Sequence, residues 1–173
     1  MNDAPLNDAI RQIPRRTPER IRQLAEYWLS LGEGTAPERS LLDPAAILPL
    51  LPYVLVVQFE DKPFRVRYRL TGTKVDEMTG INITGRHLDE FATGEFRAVV
   101  EGIQRCYAHC RETGKAVIEA YHWPNDHDLV RLIWMGLFPL KVNGEIRQCI
   151  AIEDYGPLGP QPDPIDWAVA LKI

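Results

Sequence analysis

The sequence predicts an α+β fold: a five-stranded antiparallel sheet with short helices and one long helix on one face, preceded by an amphipathic helix. Three observations carry this. Residues 64–70 alternate strictly, with Phe64, Val66, Tyr68 and Leu70 on one side and Arg65, Arg67 and Arg69 on the other, the period of a half-buried strand. Residues 95–113 place Phe96, Val99, Val100, Ile103, Cys106, Tyr107 and Cys110 on one helical stripe. Three further strand-like runs follow, two of them joined by Asn143-Gly144, a strong hairpin turn pair.

In chain order, residues 1–16 are polar, with Arg11, Arg15 and Arg16 making a basic arm without apolar periodicity. Thr17 offers an N-cap hydroxyl and Pro18 suits a first helical turn, after which Ile21, Leu24, Ala25, Trp28 and Leu31 recur at helical spacing until Gly32 and Gly34. Pro37, Pro44, Pro49 and Pro52 make residues 35–52 a connector of turns and short helical pieces. Residues 53–59 are β-branched and aromatic and pair with 64–70 across an Asp61-Lys62-Pro63 turn. Gly72, Gly80 and Gly85 divide residues 72–91 into short helices or turns, and Gly114 stops the long helix. Residues 116–123, 129–138 and 145–153 form an antiparallel meander. Residues 156–164 hold four prolines and two glycines, an extended tail from which Trp167, Val169 and Leu171 can dock back.

The whole chain has 173 residues, 45% hydrophobic and 25% charged, which suits one domain with a short extension and a purely apolar core. Its net charge of -4 offers no electrostatic footprint for nucleic acid or an anionic membrane, and no run approaches the length of a spanning helix. Three cysteines without framework spacing and no apolar leader at the N-terminus point to a reduced, cytoplasmic protein.

The element order resembles a PAS domain. At residue level, residues 64–73 (FRVRYRLTGT), then 80–86 (GINITGR) leading into 88–91 (LDEF), are similar to a family of small stand-alone bacterial PAS-domain proteins. Trp28, residues 37–39 and 42–44 in the connector, and residues 138–140 before the Asn143-Gly144 turn match as well, so the likeness runs from about residue 24 to residue 153. It implies three parts: an arm, helix and connector over residues 1–45, a PAS-like domain over 46–155, and a tail over 156–173. It further implies a non-enzymatic sensory or regulatory module with a pocket between the sheet and the short helices. Such a module takes a small-molecule ligand or a regulatory protein partner, and its leading helix commonly mediates dimerisation. The expected ligand-binding residues are therefore Tyr68, His87, Trp123 and Trp134, and the expected dimer contacts of a homodimer are Ile21, Leu24 and Trp28.

Other chemistries are weaker in the sequence. Cys106, His109 and Cys110 share a helix at spacings that could serve a metal, but both cysteines lie on the apolar stripe, where cysteine is ordinarily core, so no metal is expected. Some PAS sensors hold haem through a histidine on the main helix; His109 sits near that helix's C-terminus, where the helix dipole alone favours it. Flavin photosensors carry a reactive cysteine on the short helices, and residues 72–91 contain none. Neither haem nor flavin is expected, and the cofactor stays open. Two alternatives remain: a small α+β enzyme working on an apolar substrate through His87 and Asp89, and a ligand-free interaction domain with Trp28 and the basic arm at its interface. Arg65, Arg67 and Arg69 read as a solvated or salt-bridged face, with an anionic partner as the other option.

Overall fold

The computed structural model describes residues 9–125, 129–160 and the backbone of 171–172. Among the described residues, the α-helices α1 (Glu19–Gly32), α2 (Thr73–Thr79) and α3 (Arg97–Thr113) combine with the strands β1 (Val54–Glu60), β2 (Arg65–Thr71), β3 (Val117–Pro124), β4 (Leu129–Val142), β5 (Glu145–Pro160) and β6 (Leu171–Lys172). The sheet order is β2-β1-β5-β4-β3-β6, and every neighbouring pair is antiparallel. The first hairpin and the meander thus join through β1 and β5, as the element order implied. The sixth strand is an addition: Leu171 and Lys172 pair with Ile118 and Val117, while Trp167 and Val169 lie outside the described residues.

Each face of the sheet carries its own apolar cluster. On the inner face, Leu55, Val57, Val66, Ile133, Leu137 and Ala151 meet Val75 of α2, Leu88 of a short 3-10 turn, and Val99, Val100 and Ile103 of α3. On the outer face, Val54, Ile118, Phe138, Leu140, Ile150 and Ile152 meet Ile21, Leu24, Ala25, Trp28 and Leu29 of α1, with Ile47 and Leu50 of the connector. Alternation explains the division, because successive side chains of one strand point to opposite faces.

Packing on the outer face is close. Trp28 donates its indole N–H to the Pro139 carbonyl at 2.8 Å, and its ring lies 5.9 Å from that of Phe138. A Cβ at Gly136 would fall 2.7 Å from the Phe138 ring and 2.8 Å from Ile21, so α1 approaches β4 where no side chain stands between them. Gly72 is as confined: its Cβ would meet the Pro52 and Leu51 carbonyl oxygens at 2.3 and 2.4 Å.

Three local expectations need correction. Helix α1 begins after Pro18 without a side-chain cap, and the Thr17 hydroxyl is buried with no hydrogen-bond partner among the described residues. Leu70 is exposed, because a bulge adds Arg69 to β2 opposite Val56 and Val57 and ends the alternation. Strand β5 runs on to Pro160, into what the prolines suggested was a tail.

Candidate functional site

A cavity of about 490 Å³ lies between the inner face and the short helices. This is within the ordinary range of small-molecule sites. Its walls are mostly apolar: Leu55, Ile133, Met135, Leu137 and Ala151 from the sheet, and Val75, Ile83, Leu88, Phe91 and Ile103 from the covering segments. Met78 and Ile81, both exposed to solvent, also line it.

One polar pole interrupts these walls. On β5 the alternation turns Ala151, Glu153 and Tyr155 toward the cavity, while Ile152 and Asp154 face outward. The Tyr121 hydroxyl of β3 donates to one oxygen of Glu153 at 3.0 Å, and the Tyr155 hydroxyl donates to the other at 2.6 Å. Burial pushes the Glu153 carboxyl above its ordinary range, and the two hydroxyls offset this only partly. Tyr68 of β2 and Tyr107 of α3 stand at the same pole; burial and then neighbouring charge or phenol groups push both phenols up. An acid surrounded by phenols in an apolar enclosure is equipped to hold a polar group of a ligand.

The covering segment is tethered along β2. The Tyr68 backbone N–H donates to the Arg86 carbonyl at 2.9 Å, and the Gly85 N–H donates to the Tyr68 carbonyl at 2.7 Å. Arg65 grips Asp89 with two hydrogen bonds of 2.6 Å, and the guanidinium holds the Asp89 carboxyl below its ordinary range. Arg67 donates to the Gly85 carbonyl at 3.3 Å. Two of the three arginines of the alternating stripe therefore fasten the cover of the cavity to the sheet.

Of the residues expected to bind a ligand, Tyr68 and Trp123 do line the cavity, Trp123 with its ring 5.0 Å from Phe96. The other two do not. His87 sits outside the lining, with Nε2 2.9 Å from Glu60 and Nδ1 3.3 Å from Glu90. Trp134 packs against the outer-face cluster, one residue out of phase with Ile133, which lines the cavity. Glu153, Tyr107 and Tyr121 were missed by the sequence reading, although Tyr121 precedes Trp123 by two residues and so shares its face.

The proposed dimer contacts also fall elsewhere than expected. Ile21, Leu24 and Trp28 are 0%, 0% and 3% exposed and spend their apolar surface on this chain's own sheet, so with α1 docked a second copy cannot reach them. The enzyme pairing dissolves in the same way: Asp89 is held by Arg65, His87 by Glu60 and Glu90, and neither side chain lines the cavity. Nor do Cys106, His109 and Cys110 converge. Among the described residues no group of three His, Cys, Asp or Glu could hold a metal ion. Cys110 is buried beside the Leu137 carbonyl, while Cys106 and His109 line a separate groove with Glu119 between α3 and β3. Burial pushes the Cys106 thiol up to about 12, which leaves it protonated and inert.

The family model described as PAS domain matches residues 16–144, which include α1, the connector, the cover and most of the sheet. The chain belongs to the PAS-domain family. PAS domains are typically sensory or regulatory, and the antiparallel sheet with helices over its inner face is their fold. A solved RNA-binding Light-Oxygen-Voltage receptor is similar at 15% identity with a TM-score of 0.45, covering 88% of this chain and 48% of that one. This PAS chain thus spans about half the length of that receptor chain. No curated protein matches it. No helix among the described residues is long and apolar enough to cross a membrane.

Proposed function

We propose that this PAS domain is a non-enzymatic sensory or regulatory module whose input is occupancy of the inner cavity by a small molecule with a largely apolar body. The observation that supports the reading is the cavity itself, of ligand size and with mostly apolar walls. A well-packed interior has few voids larger than a water molecule, and each void forfeits dispersion contacts. A cavity of about 490 Å³ with mostly apolar walls is a site where a bound ligand would stabilise the folded chain.

The cover is where occupancy would be read. Leu88, Glu90 and Phe91 belong to the 3-10 turn Leu88–Phe91 and line the cavity, while Asp89 of the same turn is tied to Arg65. Ligand contacts and tether act on one short segment. Native mass spectrometry of the freshly purified chain, with an ultraviolet–visible spectrum, tests the proposal. A co-purifying mass, or saturable one-to-one binding of an added apolar probe that an Ala151→Phe variant loses while keeping its fold, is the expected result. A clean mass and no saturable binding would overturn it.

A further inference from the structure

The inference drawn here rests on the ligand-cavity reading and concerns the chemistry of the occupant. A carboxyl inside an apolar enclosure is either matched by a base or costs free energy when charged. Glu153 has no such match: both its oxygens accept from phenols, and among the described residues no lysine, arginine or histidine bonds to it. The lining carries Glu90, Glu95 and Glu153 and one arginine, Arg131; Glu90 is paired with Arg86 at 3.0 Å, and Arg131 gives Nη1 to the Gly156 carbonyl at 2.8 Å while its Nε has no partner among the described residues.

Two further groups are left open at the same place. Tyr68 and Tyr107 are 7% and 3% exposed, both line the cavity, and neither hydroxyl has a hydrogen-bond partner among the described residues. The Glu153 charge is among the causes that push both phenols up, after burial. Both phenols therefore border the same cavity as the unmatched acid, with their hydroxyls available to a ligand.

We propose that the cavity binds a small organic cation, a primary ammonium on an aromatic or apolar body, with the ammonium seated against Glu153. An ammonium has three N–H donors and no acceptor. The Glu153 carboxylate is an acceptor with matching charge, and the hydroxyl oxygens of Tyr68 and Tyr107 line the same cavity. A carboxylate ligand would set like charge beside Glu153, and an alcohol would bring no charge to match it. The rings of Tyr121 and Trp123, in edge contact at 6.4 Å, supply faces that favour a cation over a neutral body.

Proton linkage follows from the same arrangement. The groups that face Glu153 are Tyr121 from β3, Tyr155 from β5, Tyr68 from β2 and Tyr107 from α3, all phenols with titration pushed upward. The free carboxyl titrates above its ordinary range, so affinity for the ammonium rises as pH climbs through that range and Glu153 ionises.

Calorimetric titration of the full chain with three matched probes, tryptamine, tryptophol and indole-3-acetate, tests the proposal. Tryptamine should bind about tenfold or more tightly than either analogue. Glu153→Gln should erase that preference, Tyr107→Phe should weaken tryptamine more than tryptophol, and a cooperative thermal melt of each variant should show that it is folded. Tryptophol or indole-3-acetate binding as tightly as tryptamine, or a preference that survives Glu153→Gln in a folded protein, overturns the ammonium assignment and leaves the cavity reading standing. No binding of any probe, with no co-purifying mass, overturns both.

Discussion

The two faces of one sheet have been put to opposite uses. Outside, α1 and the connector press on β4 and β5 so closely that Gly136 admits no Cβ, and Trp28 satisfies its one polar atom on a main-chain carbonyl. Inside, α2, α3 and the 3-10 turns stand off, leaving space and a cluster of phenols around one acid. The comparison teaches that stability and reception need not compete for the same residues: a sheet buried on both faces can be anchored from one side while the other stays incompletely filled.

The outer face gives the largest expected effects. Trp28→Ala removes a ring packed on Phe138 and a buried hydrogen bond, and should lower unfolding free energy by about 3–5 kcal/mol in denaturant titration. The matched truncation inside, Ile103→Ala, should cost about 2 kcal/mol, because that side chain already borders empty space and has fewer contacts to lose. Equal losses would break the contrast.

Gly72→Ala comes next, at about 1–3 kcal/mol, since the added methyl meets two carbonyl oxygens that belong to backbone and cannot swing away. A smaller effect, and one that sharpens the contrast, concerns Glu153. Its carboxyl titrates higher folded than unfolded, so its contribution to stability is fully present below the unfolded value and is lost as pH rises through the folded one. Glu153→Gln should flatten that decline in pH-dependent melts of the ligand-free protein. The smallest expected effect is that of Arg65→Ala, which should leave global stability nearly unchanged and speed amide exchange of residues 85–91.

How far these uses were legible in the sequence depends on what each residue pattern encodes. Period-two alternation located β2 and set Tyr68 on its apolar side, β-branched and aromatic content located β1, and the Asn143-Gly144 pair sits at positive φ in the turn between β4 and β5. The apolar stripe of α1 showed that Ile21, Leu24 and Trp28 must be covered, but a stripe does not say by what. The answer lay in another segment: residues 54–57, 137–140 and 149–152 are unbroken apolar runs, which strands adopt when both faces are buried, so an outer cover had to exist. An aromatic ring does not give a strand's phase: Trp134 and Ile133 are adjacent, and that one residue is the whole difference between outer core and cavity. Glu153 stayed hidden because an acid at the end of an apolar run reads as the strand's edge, and only the extension of β5 to Pro160 places it mid-strand.

The two main-chain bonds that Tyr68 makes with residues 85 and 86 have a consequence for solubility. Strand β2 borders the sheet, and a bare border is a template on which another chain can pair and from which aggregates grow. With the Tyr68 N–H and carbonyl already engaged by Arg86 and Gly85, and Arg67 bridged to His87, that template is occupied by the chain itself. The segment that roofs the cavity thus doubles as a guard on the sheet's margin, and a change that frees it should appear first as a tendency to self-associate in concentrated solution.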